Sequence, residues 1–430
     1  MKIAIDPSGP VRLDVEVPGS KSLTNRALIA AALAEGRTRL TRASLSDDSR
    51  FLAEALRRAG IPVDVREVEG VIVVEGRGGA APAAEGEFSL GNAGTALRFL
   101  TSFLCLGRGR FRVDGDARMR ERPIGGLVEA LRGLGAEISY AGAEGFPPLE
   151  IRAKGLPGGR TSVRGDTSSQ FVSSLLLSAP GAAGSVEIDV AGEPTSKPYV
   201  DITLDVMRDL GVEVEREGYR SFRVPAGRRY RARAYAIAGD GASANYFLAL
   251  AAATGGWARA RGVGSRSRQG ELRFAGVLRE MGCEVTVGED AIEVRGGGPL
   301  RGVDVDMNDM PDSVQTLACL ALFARGPTRV RRVANLRVKE TDRIAALARE
   351  AAKLGARVEE GPDGFTLHPP ERLRPAEIDT YKDHRMAMSF AVAAAAAPGI
   401  VIRDPECVSK SFPGFFETLE ALGLRVRRLS

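Results

Sequence analysis

Two kinds of helix-like segment alternate along this chain at one period of about seventy residues, and no other feature constrains the fold as much. Segments of the first kind are amphipathic, and each runs through a glycine into a strand-like stretch: EALRRAGIPVDV, EALRGLGAEISY, DVMRDLGVEVER, GVLREMGCEVTV, EAAKLGARVEE and ETLEALGLRVRR. The glycines are Gly60, Gly135, Gly211, Gly282, Gly355 and Gly423, with successive spacings of 75, 76, 71, 73 and 68 residues. Glycine suits the left-handed residue that closes a helix. Segments of the second kind are more apolar: SKSLTNRALIAAALAEG, NAGTALRFLTSFLCLGRG, DTSSQFVSSLLLSAPG, DGASANYFLALAAATGG, DMPDSVQTLACLALFARG and KDHRMAMSFAVAAAAAPG. Their closing glycines, Gly36, Gly109, Gly181, Gly255, Gly326 and Gly399, are 73, 72, 74, 71 and 73 residues apart. Each repeat therefore reads as an apolar helix, a strand, an amphipathic helix and one or two further strands such as GVIVVEG.

A helix apolar on most faces must be buried, whereas an amphipathic one lies against a sheet. Six such repeats exceed what a single core accommodates. The chain is expected to divide three and three, with residues 20–238 as one domain and 1–19 plus 239–430 as the other. The opening strand VRLDVEVP precedes the first apolar helix and is expected to pair with the last repeat. That arrangement gives two crossings, near 20 and 239, and a hinge with a cleft between the domains. The competing arrangement is a single elongated solenoid.

Composition narrows the class. With 44% hydrophobic and 27% charged residues over 430 positions, the chain has the balance of an ordinary globular protein, which excludes disorder and collagen-like or coiled-coil architecture. The start, MKIAIDPSGP, lacks the apolar stretch of a signal peptide, and MAMSFAVAAAAAPGIVI is too short and too interrupted by Pro398-Gly399 to span a bilayer. Four scattered cysteines without a C-x-x-C pair, and only two histidines, argue against a disulfide framework or a zinc site. A cytoplasmic protein is expected. The net charge of +5 is spread along the chain with few aromatics, which does not read as a nucleic-acid binder. Only eight of the 60 basic residues are lysines, at 2, 21, 154, 197, 339, 353, 382 and 410. Where Arg is the default, a Lys marks a need for a compact ammonium.

Both kinds of helix start on polar and often charged residues. The apolar ones open with Ser20-Lys21-Ser22 and Arg26, Asn92 to Thr95 with Arg98, Ser168-Ser169-Gln170, Asp240 to Ser243, Asp312-Ser313 with Gln315, and Lys382 to Arg385. The amphipathic ones open with Arg122, Ser196-Lys197-Pro198-Tyr199, Lys339-Glu340 with Arg343, and Lys410. Ser, Thr, Asn and Asp at such places are first of all helix caps. Capping does not account for the cations, which oppose the helix dipole at an N-terminus unless a bound anion relieves the conflict. Recurrence of the pattern points to helix starts from both domains converging on a multiply anionic ligand with a phosphate and a carboxylate.

No Walker loop, dinucleotide fingerprint or metal constellation is present, since GSKS lacks the Walker spacing. Cys105 and Cys319, inside apolar helices, read as packing residues. His368, before Pro369-Pro370, reads as a surface-loop residue, and His384 as a cap, a ligand contact or a proton carrier. Asp312 reads as the cap of the fifth apolar helix. With Glu340 from the same repeat it makes a carboxylate pair suited to acid–base chemistry, although Glu340 equally fits a surface ion pair. Residue by residue, the chain is an enzyme or a binder of small anions.

Eight motifs, PGSKSLTNR, LGNAGTALRFL, RMRERPIGGL, SSQF, SKPYVDIT, NLRVKETDR, DHRMAM and SKSFPGFFETL, resemble in order and spacing those of the 3-phosphoshikimate 1-carboxyvinyltransferase (5-enolpyruvylshikimate-3-phosphate synthase) family, over essentially the whole chain. The resemblance implies two domains, each an inside-out α/β barrel of three βαβαββ-like units. It implies transfer of the enolpyruvyl group of phosphoenolpyruvate to the 5-hydroxyl of 3-phosphoshikimate, with release of phosphate through a tetrahedral addition–elimination intermediate, in the shikimate route to aromatic amino acids. It also implies no metal or organic cofactor, small-molecule substrates only, no nucleic-acid or membrane partner, and a monomer.

By motif position, Lys21, Ser22 and Arg26 should hold 3-phosphoshikimate, with Lys21 also reaching phosphoenolpyruvate. Ser168, Ser169 and Ser196 should bind the shikimate phosphate, Gln170 should lie close to both substrates, and Tyr199 should be a further contact. Asp312, Asn335 and Lys339 should position the ring hydroxyls. Gly94, Arg122, Arg343, His384, Arg385 and Lys410 should surround phosphoenolpyruvate, with Asn92 and Thr95 shaping that loop. The implied catalytic set is Asp312 as acceptor of the hydroxyl proton, Glu340 as acid–base partner at the methylene carbon, and Lys21 as charge stabiliser.

The chain departs from the family pattern at Phe99, where many members have Pro, at Leu97 for a frequent Met, and at Leu336 for a frequent Trp. The first of these bears on Gly94 and Thr95 and on sensitivity to the inhibitor glyphosate. One alternative is the related enolpyruvyl transferase acting on UDP-N-acetylglucosamine, whose characteristic loop usually carries a reactive Cys. The comparable stretch here, Arg118 to Pro123, has none. Another is a non-catalytic polyanion-binding repeat protein, which would need neither Asp312 nor Glu340.

Overall fold

The structure, a computed structural model, describes residues 1–429. Its chain forms two compact units, Gly19–Ile237 and Met1–Pro18 with Ala238–Ser430, called below the first and the second unit. The helices of the first unit are α1 (Lys21–Leu33), α2 (Asp47–Arg58), α3 (Gly94–Cys105), α4 (Gly125–Gly133), α5 (Ser169–Ser178) and α6 (Lys197–Asp209). Those of the second are α7 (Gly241–Thr254), α8 (Phe274–Glu280), α9 (Val314–Ala321), α10 (Arg343–Lys353), α11 (His384–Ala396) and α12 (Phe415–Ala421).

The odd-numbered apolar helices are interior. In the first unit α1, α3 and α5 pack on one another, and in the second α7, α9 and α11 do the same. Every residue from Leu23 to Leu33, from Gly241 to Ala252 and from His384 to Ala395 is buried, so no side of these helices faces water. A helix placed like this has no need of a polar face. The other helices do have one: α2 buries Leu52, Ala53, Ala55 and Leu56 and exposes Phe51, Glu54, Arg57 and Arg58.

Three four-stranded sheets surround the helices of each unit. In the central repeat of the first unit the order is Glu85–Ser89, Arg108–Asp114, Leu149–Lys154, Glu137–Tyr140. The first pair is parallel, with Ser89 opposite Asp114, and the other two pairs are antiparallel. Crossing from one parallel strand to the next is what α3 accomplishes. Residues alternate buried and exposed along the strands, as in Leu149–Lys154, and the outward positions carry cross-strand ion pairs such as Arg112–Glu150 and Arg261–Asp14. Helices inside and sheets outside give two inside-out α/β barrels, each of three repeats.

Closure exchanges two strands. Arg12–Glu16, which precedes α1, pairs in parallel with Trp257–Arg261 of the fourth repeat, placing Leu13 opposite Ala258 and Val15 opposite Ala260. Ala234–Ala236, which precedes α7, takes the matching place beside Glu35–Thr41 in the first repeat. The opening strand VRLDVEVP therefore does not join the last repeat as the sequence suggested. Lys2–Ile5 does so instead, between Ile400–Arg403 and Val426–Leu429. An alternating strand fits any sheet with a free apolar edge, so pattern alone could not choose.

The amphipathic series ends as read: Gly60, Gly135, Gly211, Gly282, Gly355 and Gly423 all have φ between 90° and 108°. In the apolar series only Gly255 is itself the closing residue of its helix, while Gly36 and Gly109 lie within strands. His368 is the last residue of strand Phe365–His368 and pairs with Glu359 at 3.2 Å, which corrects the loop reading. No helix among the described residues is long and apolar enough to cross a membrane.

Candidate active site

In the second unit, the starts of α9, α10 and α11 bring three carboxylates onto one guanidinium. Arg343, the first residue of α10, is 1% exposed. Its Nε donates to Asp383 Oδ2 at 2.7 Å, its Nη1 to Asp312 Oδ1 at 3.1 Å and its Nη2 to Glu340 Oε2 at 2.9 Å. Burial works against the charge, but Asp383, Glu340 and Asp312 together hold the guanidinium above its ordinary value. Asp312 accepts a second cation through Oδ2, from Arg385 Nη2 at 2.6 Å. Arg385 Nη1 also donates to the Tyr246 hydroxyl at 3.2 Å, and burial pushes that phenol up to about 12. Glu340 Oε1 lies 3.8 Å from Lys410 Nζ, and both groups are buried. The surface ion-pair reading of Glu340 is thereby excluded.

Local chemistry explains how these elements start. Asp383 caps α11 by accepting from the Arg385 amide at 2.9 Å, and Asp342 caps α10 by accepting from Ala345 at 3.1 Å. Asp312 is not a cap: it sits in the turn Pro311–Ser313 ahead of α9, and its carboxylate goes to the two arginines instead. His384 is likewise no cap, being the fully buried first residue of α11 with Nδ1 3.6 Å from Asp383 Oδ1. Lys339 and Glu340 lie in the bend before α10, and Asn335 is buried in the turn Ala334–Val338.

In the first unit the helix starts are arranged differently. Ser20 caps α1, and Lys21 points its Nζ to Asp48 Oδ2 at 3.2 Å, Asp48 being in the first turn of α2. Arg26, also on α1, is 1% exposed. It donates to Thr203 Oγ1 at 2.7 Å, to the Ser22 carbonyl at 2.8 Å, to the Tyr199 carbonyl at 3.0 Å and to Ser173 Oγ at 3.3 Å. The Phe99 ring lies 5.3 Å from this guanidinium, so a position departing from the family pattern supports Arg26 through its face. Leu97 and Leu336 are buried packing residues.

Around Gly94, the first residue of α3, two arginines crowd in. A Cβ there would stand 2.6 Å from Arg122 Nη2 and 2.6 Å from Arg98 Nη1. Arg122 donates to the Asn92 side chain at 2.8 Å and to its carbonyl at 2.9 Å. Arg98 donates to Gln170 Oε1 at 3.0 Å, and Gln170 Nε2 donates to Thr95 Oγ1 at 3.1 Å. Ser168 caps α5 through the Gln170 amide at 3.3 Å, with Ser169 buried behind it. Ser196 precedes α6 at φ 54°, a left-handed conformation uncommon outside glycine, which places its hydroxyl next to Thr195 Oγ1 at 3.5 Å. The cysteines are free, and burial raises Cys105 to about 12 and Cys283 to about 11, as suits packing residues.

Each unit thus gathers its own group of expected residues. Lys21, Arg26, Asn92, Gly94, Arg122 and Gln170 belong to the first, and Asp312, Glu340, Arg343, Arg385 and Lys410 to the second. Asp48 and Tyr246 had no reading from sequence, and Arg98 and Asp383 were read only as members of helix starts, not as site residues. For Asp383 the cap position before an apolar helix was a usable signal, but nothing local ties Asp48 to Lys21 across 27 residues.

Two inside-out α/β units whose helices start on charged residues define the class of protein by its fold. A family model described as EPSP synthase (3-phosphoshikimate 1-carboxyvinyltransferase) matches residues 5–419. The chain is 47% identical over 422 residues to the 3-phosphoshikimate 1-carboxyvinyltransferase of Vibrio vulnificus, covering 98% of both chains. It is 48% identical over 422 residues to that of Sulfurovum sp., covering 98% of this chain and 99% of the relative. A solved EPSP synthase from Acinetobacter baumannii superposes with a TM-score of 0.82 at 28% identity, covering 99% of this chain and 100% of that one. The chain belongs to the EPSP synthase family.

Proposed function

We propose that the protein transfers the enolpyruvyl group of phosphoenolpyruvate to the 5-hydroxyl of 3-phosphoshikimate, releasing phosphate, in the shikimate pathway. Membership of the family over nearly the whole chain, with relatives of that activity covered end to end, is the observation that carries it. The chemistry of the two clusters supports it. Phosphoenolpyruvate presents a carboxylate and a phosphate, for which guanidinium and ammonium groups are the fitting partners. Arg122, Arg343, Arg385 and Lys410, with Lys21, Gln170 and His384, are the proposed phosphoenolpyruvate contacts, shaped by Asn92, Gly94 and Thr95. Lys21, Ser22, Arg26, Ser168, Ser169, Gln170, Ser196, Tyr199, Asp312, Asn335 and Lys339 are the proposed contacts of 3-phosphoshikimate.

In the addition step Asp312 takes the proton of the 5-hydroxyl while Glu340 gives one to the methylene carbon, and the oxygen bonds to the adjacent carbon. In elimination a methyl proton returns to Glu340, Asp312 gives its proton to the departing phosphate, the double bond re-forms and the carbon–oxygen bond to the phosphate breaks. Lys21 stabilises charge in both steps. Both carboxylates rest on Arg343, so a substrate anion that competes for this guanidinium alters the two together. This reading takes the enzyme to be a cytoplasmic monomer working without metal or organic cofactor.

The test is phosphate release from phosphoenolpyruvate with 3-phosphoshikimate, with UDP-N-acetylglucosamine, or with no acceptor. Release only with 3-phosphoshikimate is expected. Release only with the UDP-sugar moves the protein to the sister activity, and release with neither removes the catalytic reading.

A further inference from the structure

Glu350 lies on α10 two helical turns beyond Arg343 and therefore on the same face. It is completely buried. Its Oε1 accepts from the Tyr381 hydroxyl at 2.7 Å, and its Oε2 accepts from the Asp379 amide at 2.9 Å and from Lys353 Nζ at 2.6 Å. Lys353 in turn donates to the Glu377 carbonyl at 3.2 Å and to Asp379 Oδ2 at 2.8 Å. One turn of α10 thus grips residues 377–381.

The segment it grips leads straight into the site. Tyr381 and Lys382 are consecutive left-handed residues, with φ of 54° and 56°, and neither is glycine. Such a pair persists only where its surroundings over-determine it. Asp383 follows, capping α11 and binding Arg343, and Arg385 then reaches Asp312. Helix α10 therefore holds this segment on both sides of the strained pair: at Asp383 through Arg343, and at 377–381 through Glu350 and Lys353. A buried carboxylate is a costly way to fill space, and an apolar side chain would pack there more cheaply. What the carboxylate adds is directed acceptors for the Tyr381 hydroxyl and the Asp379 amide.

We propose that Glu350 is a positioning residue: by holding Asp379 and Tyr381 it fixes the left-handed turn at Tyr381-Lys382, and so sets where Arg385 meets phosphoenolpyruvate. The inference rests on the reading of Arg385 as a phosphoenolpyruvate contact.

The experiment compares Tyr381→Phe and Glu350→Gln with the parent enzyme in steady-state phosphate release, varying each substrate, alongside thermal unfolding. Val74→Ala, in the core of the first unit, serves as a control for destabilisation alone. Tyr381→Phe keeps the ring against Arg349, whose guanidinium lies 6.0 Å from it, and removes only the hydroxyl. The expected result is a KM for phosphoenolpyruvate raised about tenfold in each variant, the scale of one lost hydrogen bond to a charged group. KM for 3-phosphoshikimate should stay within about twofold, and Val74→Ala should lower Tm with both KM values unchanged. Should Glu350→Gln not fold, Tyr381→Phe decides by itself. A lowered Tm with both KM values unchanged overturns the inference. Arg385→Lys separates this from the reading beneath it: if that variant leaves KM for phosphoenolpyruvate unchanged, the Arg385 assignment is wrong, whereas an effect there without one at Tyr381 condemns only the role of Glu350.

Discussion

The two clusters of helix starts set cations of the same kind into different hydrogen-bond networks. In the first unit, Arg26, Arg98 and Arg122 donate to hydroxyl, amide and carbonyl oxygens of their own unit. In the second, Arg343, Arg385 and Lys410 face Asp312, Glu340 and Asp383. Hydroxyl, amide and carbonyl acceptors fix the direction in which a guanidinium points. Carboxylates sharing one guanidinium feel each other's protonation, which suits proton traffic. We read the first cluster as chiefly a binding surface and the second as chiefly the chemical one. Lys21 in the first cluster also meets a carboxylate, that of Asp48.

That division can be broken. The largest effects should come from Asp312→Asn and Glu340→Gln, each lowering kcat by about 10²–10⁴-fold, the scale of general acid–base catalysis, with KM values little changed. Steady-state phosphate release measures this; a raised KM with intact kcat would make these residues binding groups. Arg343→Gln should come next, as a loss of stability. Removing one partner from a buried ionic cluster costs about 3–5 kcal/mol, which urea unfolding would show. An unfolding midpoint matching the parent would mean that the three carboxylates do not depend on this guanidinium.

Gly94→Ala tests the other cluster. Its Cβ would crowd both Arg122 and Arg98, so KM for phosphoenolpyruvate should rise about tenfold, the scale of a weakened charged hydrogen bond, while kcat holds. A fall in kcat alone would blur the comparison. The smallest effect concerns pH. The hydrogen bond from Lys353 holds Asp379 below the usual carboxylate value. Because the folded value is depressed, this contribution is present above the unfolded value of about 3.9 and is lost as pH falls through the folded one. Lys353→Met should therefore lower Tm at pH 7 more than at pH 2. Equal losses at both would mean that packing, not charge, is what the lysine provides.

Much of this was legible before any coordinates. Six left-handed glycines follow from a local rule about how helices end, and caps at Ser20, Ser168, Asp240 and Asp383 follow from a local rule about how they begin. Asp312 shows where such rules stop. An Asp ahead of an apolar helix looks like a cap, yet two arginines, 31 and 73 residues away, claim its oxygens. Glu350 gave no signal at all: within an amphipathic helix next to Arg349 and Lys353, a glutamate reads as a solvated charge.

By itself, then, the sequence determined the repeat, the burial of the apolar helices, the families of helix ends and the motifs that mark the activity. These rest on periodicity and on contacts a few residues apart, which any stretch of chain carries within itself. Only the tertiary structure decided that Arg12–Glu16 joins the fourth repeat, that Asp312, Glu340 and Asp383 meet on Arg343, and that Glu350 is buried against Tyr381. Those pairings depend on how three interior helices set the relative height and rotation of their starts, a property of the packed core that no local segment encodes.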